Sequence, residues 1–160
     1  MKIIGIDPAF RVSGFGICEL EEDSVCFPKI KSFIDFFLYA KTFMVSDEQI
    51  FVVENSNLQN TTFATYKVNA NQLKRISRNV GANQAISQMV VDYLRYLGLE
   101  VVEVSPLQKG SKWNIYQAQS ALFDLKFSHS KIKMSQDERD ALKLAYQEKK
   151  RQNKQKTNKK

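Results

Sequence analysis

A chain of 160 residues, 43% hydrophobic and 26% charged, suits one globular domain with a sizeable core. No apolar run approaches the roughly 20 residues that span a bilayer, and the N-terminus enters a strand pattern rather than a secretory leader, so a cytoplasmic protein with no membrane partner is expected. The formal net charge of +7 is concentrated at one end: residues 147–160 hold seven Lys/Arg and one Glu, whereas the other 146 residues hold 17 basic and 16 acidic groups.

That division predicts a folded body over residues 1–146 and a disordered basic tail over 147–160, suited to polyanions; a purely solubilising tail stays open. The two cysteines, Cys18 and Cys26, match no zinc or disulfide spacing and read as reduced thiols. Signs also segregate within the body. No acid falls between Glu54 and Asp92, where Lys67, Lys74, Arg75 and Arg78 occur, or between Glu103 and Asp124, where Lys109 and Lys112 occur.

The chain opens with an isoleucine-rich strand that ends at Asp7, because Pro8 has no N–H to donate to a ladder. Alternation puts Ile4 and Ile6 on one face and Ile3, Gly5 and Asp7 on the other. Residues 13–20 predict a second strand, with Gly14 and Gly16 leaving a groove for a substrate backbone beside the carboxylate. Residues 25–31 predict a third strand, at an edge or bulge because of Pro28, completing an antiparallel meander. Ser32 caps a predicted helix through about Met44, with an aromatic apolar face. A buried strand over Ile50–Val53 then ends in Glu54, repeating the opening pattern of apolar strand and terminal carboxylate.

Residues 58–68 read as a mobile polar loop. Apolar residues at three- and four-residue spacing predict a long helix from about Asn69 to Leu97, with Gly81 a candidate interruption and Gly98 its end. A fifth strand over Glu100–Val104 follows this helical crossover, hence parallel to the fourth. A loop over 105–113, a helix near 114–124, a second loop over 125–134 and a helix from Ser135 to about Lys149 complete the body. Trp113 and Phe123 are expected in the core, and His129 on a surface loop. Ser135 and Glu138 fit a capping box; Asp137 and Asp140, three apart, share one face of the same helix.

Asp7, Glu54, Asp137 and Asp140 thus stand at two strand ends and on one helix. Gathered in a partly dry site they repel one another, and a divalent cation removes that cost. Hard oxygen donors with no His or Cys cluster favour Mg²⁺ or Mn²⁺ over zinc. Two such ions about 4 Å apart can activate a water and stabilise the leaving oxygen of a phosphodiester.

The segments GIDPAFRVSGFG, FVVEN, GANQAISQMVVDYLRYLGLEVVEVSP and DERDALKLA resemble, in order, the motifs of RuvC-type Holliday-junction resolvases within the RNase H-like nuclease superfamily. The compact length, reduced third-strand region and Lys/Asn-rich tail look most like bacteriophage-encoded members. The resemblance implies an RNase H-like α/β fold: a five-stranded mixed sheet, three strands antiparallel and two parallel, flanked by helices. It implies a homodimer that presents two active sites to a four-way DNA junction. It implies that Asp7 bridges two Mg²⁺ ions, that Glu54 binds one, and that Asp140 with Asp137 completes the other, leaving 5′-phosphate and 3′-hydroxyl ends without a protein nucleophile.

Two departures stand out. The family often carries an aromatic just after the second-motif glutamate, whereas Asn55, Ser56 and Asn57 follow here and the nearest aromatic is Phe63. The loop after the fifth strand is short, so Lys109 and Lys112 match the family's catalytic lysines only loosely; each could contact the scissile phosphate, or stay a solvated loop lysine. Arg11, Lys67, Lys74, Arg75 and Arg78 are candidate phosphate contacts, with ordinary exposed basic positions the alternative.

Among other readings, actin-like ATPases and sugar kinases share the Gly-Ile-Asp hairpin but need two lobes around a nucleotide cleft. The chain is too short for that, and no nucleotide cofactor is expected. A non-catalytic nucleic-acid-binding relative is weakened by the four acids, since a polyanion binder gains nothing from clustered carboxylates. An RNA–DNA hybrid hydrolase is the remaining alternative; its usual second-strand acidic features are less well matched here, and the closing Asp-x-x-Asp motif favours junction resolution.

Overall fold

The isoleucine run at the N-terminus becomes the middle of a sheet. A computed structural model of the chain describes residues 1–9, 15–43, 45, 48–59, 69–127 and 132–158. In it β1 (Lys2–Asp7) pairs antiparallel with β2 (Gly16–Leu20) and parallel with β4 (Gln49–Glu54). The edges are β3 (Val25–Cys26), antiparallel to β2, and β5 (Val101–Val104), parallel to β4, giving the order β3-β2-β1-β4-β5. The expected mixed sheet is therefore present.

Its edge strand is shorter than the sequence predicts. Pro28 cannot donate, so the ladder stops at Cys26 and pairing resumes only as an isolated bridge between Phe15 and Ile30. Among the described residues the second strand spans Gly16–Leu20; Ser13 and Gly14, where the sequence begins it, lie outside them.

Five helices cover the two faces. Ser32 caps α1 (Phe33–Ala40), accepting the Asp35 N–H at 3.1 Å, and the helix ends short of the expected Met44, which lies outside the described residues. A capping box of Asn69 and Gln72 starts α2 (Ala70–Tyr96). Gly81 does not interrupt it, since the position of its missing side chain faces open space, while Gly98 follows it at φ +75. Part of the expected 105–113 loop is a single turn, α3 (Pro106–Lys109), capped by Ser105 with Gln108 and started by a proline that suits the first helical position. Then come α4 (Ile115–Asp124) and α5 (Gln136–Thr157).

The capping box at Ser135 and Glu138 opens α5 as predicted, but the helix continues through the basic segment expected to be disordered. Where fraying was expected, buried Glu148 accepts from Arg151 at 2.7 and 2.8 Å and from Gln152 at 2.9 Å. The residues beyond it are mostly Lys and Gln, good helix formers. Among the described residues, no helix is long and apolar enough to cross a membrane.

Strand alternation divides the core. Ile4, Ile6, Ile17, Phe51 and Val53 pack under α1 and α2, against Phe36, Ala40, Val90, Val91 and Leu94. Ile3, Cys18, Leu20 and Val52 pack against Leu122 of α4 and Ala141, Leu142 and Leu144 of α5. Each large side chain fully buried here contributes about 1.5–3 kcal/mol. Trp113 is half-buried in the second cluster, but Phe123 is 82% exposed, contrary to expectation, because it falls on the outer side of α4.

At two glycines the contact of α5 with the sheet is backbone to backbone. A Cβ on Gly5 would sit 2.1 Å from the Ala141 carbonyl oxygen, and one on Gly16 2.1 Å from that of Asp137. The bare surface at Gly16 thus admits the protein's own helix, not the substrate backbone that the sequence suggests. Gly16→Ala is expected to lower stability by about 1–3 kcal/mol, the usual cost of overpacking against atoms that cannot yield. Thermal denaturation measures it.

Candidate active site

Asp7 and Glu54 end neighbouring parallel strands, and the register Ile6↔Val53 makes them the next pair at the carboxyl edge of the sheet. Their parity with Ile3 and Val52 puts both on the face covered by α5. Asp137 and Asp140 stand near the start of that helix, where backbone N–H groups favour negative charge. All four carboxylates, with Pro8, Ala9, Ser56, Asn83, Lys109 and Lys112, line one cavity of about 350 Å³. The four acids singled out in the sequence are brought together.

Lys109 is the correction. Rather than a solvated loop lysine, it is 6% exposed. Its Nζ pairs with Glu54 Oε2 and lies 3.5 Å from Asp140 Oδ2 and 3.8 Å from Asp7 Oδ1. The Ser105 cap and the α3 turn carry it inward from the end of β5. Burial pushes the Asp7 carboxyl well above the ordinary aspartate value; Lys109 opposes this, while Glu54, Asp140 and Asp137 add to it. Burial also works against the Lys109 charge, yet Asp7, Glu54 and Asp140 together raise its pKa above the ordinary lysine value.

Apart from the Lys109 ammonium, Glu54 Oε2 and Asp140 Oδ2 are buried without a hydrogen-bond partner. Such oxygens, with no His or Cys beside them in the cavity lining, suit a hard divalent cation. Among the described residues no three acidic, His or Cys groups already form a ligand cluster. The cation standing among the carboxylates is the lysine.

Several supporting residues escaped the sequence reading. Asn55, buried, donates to Glu103 of β5 at 2.5 Å and accepts from the Asn57 N–H at 2.9 Å, opening a 3-10 turn over Ser56–Leu58. Asn57 in turn donates to the Gln84 carbonyl of α2 at 2.8 Å. The polar triplet Asn55, Ser56 and Asn57 thus ties the end of β4 to a neighbouring strand and helix. Gln136 donates to Asp140 Oδ1 at 3.0 Å. It lies four residues before Asp140, a spacing visible in the sequence.

Glu138 stays out of the cluster: its carboxylate pairs with Lys29 and accepts the Ser135 N–H at 2.7 Å. Burial raises its pKa, but Lys29 and Ser135 outweigh burial and leave it below the ordinary value of 4.5. A lowered folded value means stability that is present above that value and lost as pH falls through it. Glu138→Gln is expected to cost about 1 kcal/mol at neutral pH, discounted because Lys29 is exposed. Denaturant melts should show the difference shrinking in acid.

Of the candidate DNA contacts, Lys112 is exposed on the cavity rim, and Lys74, Arg75 and Arg78 are exposed on the N-terminal half of α2. Arg78 precedes Asn83 of the cavity lining by roughly 7.5 Å of helix rise. Arg11, Lys67 and His129 lie outside the described residues, as do residues 60–68 of the expected loop.

Sheet order, strand directions and helices on both faces define the RNase H-like class. A solved structure, T. thermophilus RuvC in complex with Holliday junction substrate, is similar to this chain with a TM-score of 0.54 and 15% sequence identity, covering 91% of this chain and 90% of that one. No family model matches the sequence, and no curated protein does.

Proposed function

We propose that the protein is a divalent-metal-dependent endonuclease that cuts branched DNA, Holliday junctions and also forks or flaps, leaving 5′-phosphate and 3′-hydroxyl ends. The observation that carries this reading is the convergence of Asp7, Glu54, Asp137 and Asp140 with two lysines in one cavity at the carboxyl edge of an RNase H-like sheet. The similarity to a RuvC solved in complex with Holliday junction substrate supports it.

Asp7, Glu54, Asp137 and Asp140 would hold two Mg²⁺ ions, or Mn²⁺ in their place, which supply water activation and stabilise the leaving oxygen. Asp7, Glu54 and Asp140 surround the Lys109 ammonium, so these three carboxylates would hold such ions close together. Gln136 fixes the orientation of Asp140 through its second oxygen. Lys112 on the rim meets the DNA backbone, and Lys74, Arg75 and Arg78 extend the positive track along α2 without reading sequence. A homodimer formed through α2, whose Met89 and Tyr96 are exposed seven residues apart, offers two such sites to one junction.

The experiment is a labelled panel of four-way, three-way, flap, linear and RNA–DNA hybrid substrates, each with Mg²⁺ and with EDTA. Cutting of branched DNA with Mg²⁺ only is expected. Binding without cutting would establish the non-catalytic alternative, and preference for the hybrid the other.

A further inference from the structure

One stripe of α5 is spent on the backbone of the segment joining α3 to α4. Gln147 donates to the Lys109 carbonyl at 3.3 Å, Lys143 to the Ser111 carbonyl at 2.6 Å, and Arg139 to the Trp113 carbonyl at 3.1 Å. Alternate carbonyls of residues 109, 111 and 113 are thus held by side chains four residues apart on one helix face. The segment so gripped carries Lys109, among the carboxylates, and Lys112, on the cavity rim.

Lys143 is the unusual member. It is 6% exposed, and among the described residues its ammonium pairs with no carboxylate. What it touches is the Ser111 carbonyl and, 5.6 Å away, the face of the Trp113 ring. Burial, then Lys109, lower its pKa, with Asp140 and Glu54 opposing them from a distance. A buried ammonium with no carboxylate in direct contact costs stability, so an apolar side chain there would serve the core better. Its neighbours on the helix, Leu142 and Leu144, are of that apolar kind. Gly110 beside it adopts φ +75 where it ends α3, and a Cβ there would stand in ordinary contact, 3.7 Å, with Lys143 Nζ.

We infer that Lys143 is a positioning residue: by holding the Ser111 carbonyl and the Trp113 ring, it fixes the 109–113 segment and thereby sets where the Lys109 and Lys112 ammonium groups stand relative to the four carboxylates. The inference rests on reading that cluster as the nuclease site, but the grip itself can be measured without catalysis, because Trp113 is the chain's single tryptophan.

The test compares the unsubstituted protein with Lys143→Met, which keeps length and loses the donor, and Lys143→Arg, which keeps a donor. Acrylamide quenching of Trp113 in EDTA reports the grip. Single-turnover cutting of a four-way junction and junction affinity in EDTA report its consequence. Lys143→Met should raise the quenching constant about twofold or more and slow cutting about 10- to 100-fold, as expected for catalytic groups displaced by an ångström or less. Affinity should change little, and Lys143→Arg should recover most of both signals. Lys112→Ala combined with Lys143→Met should lose less than the product of the single effects. Should Lys143→Met fail to fold, Lys143→Gln, whose amide falls short of the carbonyl, carries the same expectations.

Unchanged quenching, or cutting within about twofold of the unsubstituted protein in a folded variant, overturns the inference; a threshold that small is below the effect of one misplaced contact. If the unsubstituted protein cuts no branched DNA, the nuclease reading fails by itself, and the quenching result still decides whether Lys143 holds the segment.

Discussion

Asp7→Asn is expected to abolish Mg²⁺-dependent cutting of branched DNA, a loss of about 10²- to 10³-fold or more, as when a preorganised electrostatic group is removed from a reacting centre. Glu54→Gln and Asp140→Asn should behave alike, because each removes one charge from the same cavity. Binding in EDTA should persist or tighten, since a negative charge facing a polyanion is lost. The loss should not come from unfolding. The folded Asp7 carboxyl lies well above its ordinary value, chiefly through burial, so its ionised form costs stability, and that cost grows as pH rises through the folded value. The neutral amide avoids it, and the melting temperature in EDTA at neutral pH should not fall. Single-turnover cutting, gel shift and thermal melts together make the check; an Asp7→Asn protein that cuts normally removes the central assignment.

Lys109→Met is the second large effect, and it runs through stability. Lys109 faces Glu54, Asp140 and Asp7 together. Breaking a buried charge cluster by removing one partner costs about 3–5 kcal/mol. For a chain of this size each kcal/mol is worth about 2–4 °C, so the midpoint in EDTA should drop by roughly 6–20 °C. The Lys109 pKa is raised, so its contribution is intact at all pH values below the ordinary lysine range and fades only above it. The drop should therefore be flat across neutral pH.

Divalent cations should reverse much of it. A ligand at 100 times its dissociation constant stabilises by about 2.7 kcal/mol, and without Lys109 no side chain among the described residues bonds Glu54 Oε2 or Asp140 Oδ2. The Mg²⁺-induced rise in midpoint should be larger in Lys109→Met than in the unsubstituted protein. An equal rise in both would show that the lysine and the cation do not share those oxygens.

Much of this arrangement is legible in the sequence because strands have a period of two. The parity of Ile3, Gly5 and Asp7 against Ile4 and Ile6 gives the face on which the first carboxylate lies, and the two cores divide as that parity predicts. The Ser135 capping box places Asp137 and Asp140 at the head of a helix. The inward turn of Lys109 was less visible, although Ser105, Pro106 and Gln108 spell a cap and a helix start that a loop reading passes over. Pro28 marks an edge strand, as the sequence implies, but it also ends that strand's ladder at Cys26, which its position alone does not reveal. The basic tail misled because charge was weighed above helix propensity and the local anchoring of Glu148. The stripe of Arg139, Lys143 and Gln147 is periodic in the sequence, but its carbonyl partners are set by tertiary packing, which no spacing rule encodes.

At Gly5 and Gly16 the sheet and α5 meet with no side chain between them. The gap separating the strand that carries Asp7 from the helix that carries Asp137 and Asp140 is therefore set by atomic radii, not by rotamers. Core substitutions elsewhere can be absorbed by shifts in other layers, but this layer has no thickness to trade. Over evolutionary drift, the distance across the reactive centre would be the last dimension of the molecule to change.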